Sequence, residues 1–140
     1  MKAKESLFSQ CLYFSSSALS RKVERMAEES WKKIDLSPSH AYLLKLTLDE
    51  PGINAGEIAE QLQLTPSTIT RLVQKLEEKK LVLREPDGKM TRVFPTAKAR
   101  ALVPKMKHCL NEFYEKYTSV LGKEESARLV KNINTLNDKL

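Results

Sequence analysis

Glycine and proline are scarce, 4 and 6 in 140 residues, and no stretch is compositionally simple. A long disordered segment is therefore not expected beyond the first few residues. Cysteine is almost missing: Cys11 and Cys109 stand far apart and make no disulfide framework. His40 and His108 are the two histidines, and with two cysteines at these spacings they form no metal-ligand cluster. No metal or cofactor is expected. No apolar run approaches the ~18–20 residues that a bilayer span requires. The basic start, MKAKESLFSQCLYFSSSALSRK, is broken by Ser and Gln where a secretion signal carries a continuous apolar core. It reads as an amphipathic helix, and the chain as cytoplasmic with no membrane partner. A phosphate-binding glycine motif, a Ser-His-Asp set and a paired-carboxylate constellation are all lacking, so the chain reads as a binding protein and not an enzyme. His108 lies beside Cys109, but adjacent helical residues point about 100° apart.

What the chain does have is positive charge and helical periodicity. Lys and Arg number 24 against 18 acids, a formal +6. That balance suits a polyanion, either nucleic acid or an anionic membrane surface. Hydrophobic residues at 41% and charged residues at 30% are ordinary for one globular domain. A chain of this length buries roughly 68–70% of its unfolded surface, enough for a core without staples.

Phe8, Leu12, Leu19, Val23 and Met26 fall on one helical stripe and predict a first helix over about 6–31. Ser37-Pro38 reads as a cap with proline at the first helical position, opening a second helix to about residue 48. Asn54 with Glu57 forms a capping-box pattern before a third, short helix. Thr65-Pro66 repeats the cap-plus-proline signal for a fourth helix to about residue 79, with Ile69, Leu72, Val73 and Leu76 inward. Beyond Lys80 the period changes to two β-favouring runs, 81–84 and 91–94, joined by Glu85-Pro86-Asp87-Gly88-Lys89, a turn sequence. Thr96 caps a fifth helix in which Pro104 forces a kink or a late true start. Gly122 ends it. A sixth helix carries Leu129, Ile133, Leu136 and Leu140 at regular spacing.

The order helix, short helix, tight turn, helix, hairpin is a mostly α (α+β) winged helix-turn-helix with a two-stranded wing. With its apolar stripe turned inward, the fourth helix presents Thr65, Ser67, Thr68, Thr70, Arg71, Gln74 and Lys75. Hydroxyls, an amide and two cations match base edges and phosphates in a major groove. The absence of Asp and Glu from its first turn leaves the positive helix end open to phosphate. Arg84, Lys89 and Arg92 cluster at the hairpin, where a tip meets the adjacent minor groove or its phosphates.

The string NAGEIAEQLQLTPSTITRLVQKLEEKKLVL, residues 54–83, resembles the recognition segment of MarR-family regulators, and the order of elements resembles that family over the whole chain. The resemblance implies one domain over 1–140, with a DNA-binding unit at about 36–96 and dimerisation helices at about 5–31 and 97–140. It implies a homodimer reading a pseudo-palindromic operator. The apolar stripes of the terminal helices ask for a partner independently of it. Lys89 stands where an arginine is commoner in the family and lacks its bidentate fork.

Members resembling this chain are released from DNA by a small aromatic or anionic ligand, and Tyr13, Trp31, His40 and Tyr42 are the matching candidates here. The expected activity is thus a repressor released by a ligand. The alternatives are a thiol-based peroxide sensor of the same family, using Cys11 with Cys109, and a winged-helix protein-interaction module. Residues 7–14 resemble the sensing region of the peroxide subgroup, although Gln10 and Cys11 are adjacent where that subgroup has one residue between.

Overall fold

Four short polar side chains decide where the helices in the middle of the chain begin. Ser37, Asn54, Thr65 and Thr96 lie in extended backbone, and each accepts the amide N–H three residues on, from His40, Glu57, Thr68 and Ala99. Each bond satisfies one of the amides that a helix start leaves without a partner. The computed structural model describes residues 1–140. In chain order its elements are α1 (Leu12–Trp31), α2 (Pro38–Asp49), β1 (Ile53–Asn54), α3 (Ala55–Leu62), α4 (Pro66–Glu78), β2 (Val82–Asp87), β3 (Met90–Pro95), α5 (Ala97–Ala101), α6 (Val103–Leu121) and α7 (Lys123–Lys139). Short 3-10 turns at Ala3–Glu5 and Lys32–Ile34 complete it.

Two compact units result: Trp31–Lys107, and Met1–Ser30 with His108–Leu140. The first has a closed core. Leu43, Leu44, Ile58, Ile69, Leu76, Val82 and Val93 are all fully shielded from solvent. Each such side chain contributes roughly 1.5–3 kcal/mol relative to an exposed one. They come from α2, α3, α4 and the sheet, so the helix-turn-helix and the wing share one apolar centre.

The sheet has three strands in the order β1-β3-β2, all antiparallel. The expected wing had two. β1 is only two residues long, too short to show a period, but Ile53 is buried and pairs with Val93. The hairpin is also longer than expected. Pro86 and Asp87 are strand residues, pairing with Thr91 and Met90, and the connection is Gly88-Lys89 alone. Gly88 at φ 63 followed by a residue on the negative side is the pattern of a II′ turn, which suits the twist of a hairpin. Pro86 is tolerated because β2 is an edge strand and its missing N–H leaves no ladder bond unmade.

The register sorts the wing into two faces. Val82, Arg84, Pro95 and Val93 lie on the inner face; Leu83, Glu85, Asp87, Phe94, Arg92 and Met90 lie on the outer one. Gly52 closes the turn into β1 at φ +88, giving its N–H to the Val93 carbonyl, and an added Cβ would sit 3.1 Å from the Phe94 ring.

In the second unit the helices are real but their stripes are uncovered. α1 starts at Leu12, not near Ser6. The Ser6 hydroxyl takes the Phe8 amide and residues 6–10 form turns, a competition with the helix typical of serine. The expected fifth helix is two: α5 stops at Ala101, and Pro104 falls in the first turn of α6, where its lost N–H is harmless. This gives seven helices in place of six. Gly122, at φ 86, then separates α6 from α7. Leu7, Phe8, Leu12, Leu19, Val23, Val120, Leu129, Ile133 and Leu136 remain exposed, and Ser126 is the buried residue of α7.

Leu44→Ala should cost about 2–5 kcal/mol through the cavity it opens. Gly52→Ala should cost about 1–3 kcal/mol through backbone strain with the Phe94 ring in its way. Denaturant midpoints at constant m-value check both.

Candidate nucleic-acid interface

Ile69, Val73 and Leu76 point into the core, and Leu72 is half-buried. That seat turns Ser67, Thr70, Arg71, Gln74 and Lys75 to solvent, with Thr68 half-buried beside them. The hydroxyls are not equally available. Thr65 Oγ1 caps the helix and lies 2.9 Å from Thr68 Oγ1, and Thr70 Oγ1 donates to the Pro66 carbonyl. Ser67 shares only a long 3.3 Å contact with Thr65. Arg71 and Gln74 carry no intramolecular hydrogen bond, and Lys75 has a loose 3.9 Å approach to Glu78. The first turn of α4 contains no acid.

The wing cations are placed differently from one another. Lys89 sits in the two-residue turn with no carboxylate partner. Arg84 is bound to Glu77 on α4, Nη2 to Oε1 at 2.8 Å and Nε to Oε2 at 3.3 Å. Arg92 donates from Nε to Asp87 at 2.7 Å and from Nη1 to the Gly52 carbonyl at 3.0 Å. Sequence reading found the three cations but missed Glu77, Asp87 and Gly52. Strand register carries that signal: Arg92 faces Glu85 directly and Asp87 diagonally on the outer face.

A second group of ties, also unseen in the sequence, holds the end of α4. Lys79 Nζ donates to the Asp35 carbonyl and carboxylate at 2.7 and 2.9 Å. Lys98 Nζ donates to the Lys79 carbonyl, and Thr96 Oγ1 to that of Lys80. Asp35 and Lys80 are left-handed, at φ 56 and 62.

Of the four candidate ligand residues, three fall in the Trp31–Lys107 unit. Trp31 is 1% exposed and meets the Tyr42 ring edge-on at 5.8 Å. The Trp31 indole N–H is buried with no partner. His40 Nδ1 lies 2.5 Å from Ser37 Oγ. Tyr13 belongs to α1 in the other unit and is 80% exposed. Cys11 is exposed just before α1, while Cys109 is buried. No cluster of three His, Cys, Asp or Glu side chains is arranged to hold a metal, and no helix is long and apolar enough to cross a membrane.

A polar recognition face seated on an apolar core, preceded by a short helix and followed by a braced hairpin, is a winged helix-turn-helix. Residues 34–92 match the model of the MarR family. The HTH-type transcriptional repressor MdtR of Bacillus subtilis (strain 168) is 30% identical over 93 residues, 66% of this chain and 59% of that repressor. The likeness to the MarR family covers the winged unit, and the chain spans less than two thirds of the length of the curated relatives it matches. Solved structures share its fold: the repressor CouR bound to p-coumaroyl-CoA has a TM-score of 0.87 at 21% identity, covering 99% of this chain and 100% of that one. The S. aureus MepR–DNA complex has 0.79 at 22% identity, covering 92% and 98%.

The perturbed titrations separate by pH. Burial, helped by Lys79 and Lys75, holds the His40 imidazole below its ordinary 6.5. The unfolded chain then takes up its proton first, so stability should fall as pH drops from above 6.5 through the folded value. A hydrogen bond from Arg84 lowers Glu77 below 4.5, and one from Lys79 lowers Asp35 below 3.8. Their contributions are present above those ordinary values and should be lost only in stronger acid. Thermal midpoints should fall as pH drops below about 6.5, and His40→Gln should remove that fall, while the exposed Glu77 and Asp35 pairs should move the midpoint little.

Proposed function

We propose that this chain is a sequence-specific, duplex-DNA-binding transcription regulator: a cytoplasmic homodimeric repressor, released from a pseudo-palindromic operator by a small ligand. It acts by binding and not as an enzyme. The observation that carries the reading is the outer face of α4, where Ser67, Arg71, Gln74 and Lys75 stand exposed over a rigid apolar seat. Side chains on a fixed helix lose little freedom when they meet base edges, so the contacts are pre-organised. Thr65, Thr68 and Thr70 shape the start of that face, and Lys89 at the turn extends it to phosphate. The MepR structure of the same fold contains DNA, which supports the reading.

The homodimer rests on the uncovered stripes of α1 and α7. Leu12 is 69% exposed, and Leu129, Ile133 and Leu136 lie between 39% and 52%. A second copy covers such stripes at both ends at once, and a two-fold dimer sets two α4 helices on half-sites about one helical turn apart. Arg71→Ala and Lys75→Ala should each weaken operator binding by roughly 1–3 kcal/mol while helical content and sedimentation stay unchanged. Fluorescence anisotropy at one fixed salt measures this; unchanged affinity in both variants would refute the assignment of α4.

Release by a ligand is favoured by one specific feature. The buried Trp31 indole N–H lacks an acceptor, an omission that costs about 1–3 kcal/mol. In this proposal the carboxylate or phenolate of an aromatic ligand would be its acceptor, with Tyr42 and His40 of the same unit as further candidates. CouR, a relative by fold, is solved bound to p-coumaroyl-CoA, which supports release by a ligand that carries an aromatic group. Trp31→Phe keeps an aromatic ring, though a smaller one, and removes the donor. Aromatic carboxylates that release the wild type from its operator should need about tenfold or more higher concentration with this variant. Equal sensitivity would rule Trp31 out as the anchor.

A further inference from the structure

Arg84 has the charge and the position of a wing contact, yet its surroundings in the fold give it another task. It stands directly opposite Val93 and two residues beyond Val82, both fully buried. Side chains opposite one another in an antiparallel pair share a face, so Arg84 lies on the inner side of the hairpin. There its guanidinium meets the Glu77 carboxylate with two nitrogens on two oxygens. A two-pronged contact between planar groups sets an angle as well as a distance.

The place of this contact matters. α4 and β2 are joined covalently by Lys79-Lys80-Leu81, with Lys80 in left-handed backbone. One covalent junction makes a hinge; a second tie, away from the junction, fixes its angle. Arg84–Glu77 is such a tie, running from the wing to the helix that carries Arg71 and Gln74. Arg92 braces the outer face of the hairpin through Asp87 and Gly52, so the wing moves as one body. Lys89, without a carboxylate partner, is then carried wherever that body points.

We propose that Arg84 is a positioning residue and not a DNA contact: clamped by Glu77, it sets the angle of the wing so that Lys89 and the α4 face meet one duplex together. The inference rests on the duplex-binding reading above. As an exposed ion pair the clamp adds little to stability, so its loss leaves a folded protein in which orientation alone is altered.

The test compares wild type with Arg84→Gln, Arg84→Lys, Glu77→Gln and, as a charge-matched control, Glu78→Gln. Operator and random-sequence duplexes are titrated across a salt series, and backbone 15N relaxation of the wing amides is recorded without DNA. Arg84→Gln, Arg84→Lys and Glu77→Gln should keep the thermal midpoint and loosen residues 82–95. They should lower the operator-to-random affinity ratio about tenfold, the loss of one specific contact. Lysine fails to rescue because it keeps the charge but not the fork. The slope of log affinity on log salt should stay at the wild-type value, and Glu78→Gln should leave ratio and relaxation alone.

The proposal is overturned if Arg84→Gln weakens operator and random duplex equally and flattens the slope by about one per protomer, the signature of a phosphate contact. Full rescue by Arg84→Lys, or wing amides as rigid in the variants as in wild type, overturns it too. A wild type that binds no duplex defeats the DNA-binding reading, and the relaxation data still decide whether the pair holds the wing.

Discussion

The rotation of α4 about its own axis is fixed by Ile69, Val73 and Leu76, and every surface property of the winged unit follows from that. These three positions recur at spacings of four and three, so they make one stripe, and all are at most 2% exposed. Turning the helix by one residue would expose them and bury cations or amides instead. The stripe is worth several kcal/mol by burial, whereas each exposed ion pair around it is worth about 0–1 kcal/mol. Apolar packing therefore decides where the recognition helix is, and ion pairs can only trim how its neighbours are angled.

That trimming is concentrated at the carboxyl end of α4, where the chain must turn from helix to wing. The last carbonyls of a helix have no partner within it. Here the Lys79 carbonyl receives the Lys98 ammonium, and those of Lys80 and Leu81 receive the Thr96 hydroxyl. Lys79 itself reaches back to Asp35. Two left-handed residues, Asp35 and Lys80, are held by this set, and their backbone strain is offset by bonds that no other conformation would make. The opposite end of the helix needs less, because Thr65 and Pro66 define it from the sequence alone.

This contrast explains what could be read in advance. Helix starts at Ser37, Asn54, Thr65 and Thr96 are local events between residues three apart, and the amino acids announce them. The inward stripe of α4 was equally legible, and with it the exposed Arg71, Gln74 and Lys75. Features that depend on partners distant in the chain were not. β1 exists because Ile53 pairs with Val93, and two residues carry no period of their own. Pro86-Asp87-Gly88 has the composition of a turn, but the edge position of β2 lets Pro86 and Asp87 continue the strand. Arg84 and Arg92 looked alike as wing cations; only register separates them, one inward toward Glu77 and one outward toward Asp87. The start of α1 was misplaced for a local reason, since the Ser6 hydroxyl and carbonyl take the Phe8 and Ser9 amides in a turn that competes with the helix.

The two units differ in how far a single chain can finish them. In Trp31–Lys107, helices and sheet close around one another and the apolar side chains disappear from the surface. In the other unit, α7 buries Ser126 alone, yet it repeats Leu129, Ile133 and Leu136 at spacings of four and three. A helix keeps such a stripe only against a surface that shields it, because polar residues at those positions would serve an isolated helix at least as well. The α1 stripe at Leu12, Leu19 and Val23 is exposed in the same way. In the dimer proposed above a second copy closes both stripes, while the Trp31–Lys107 unit is already folded by its own core.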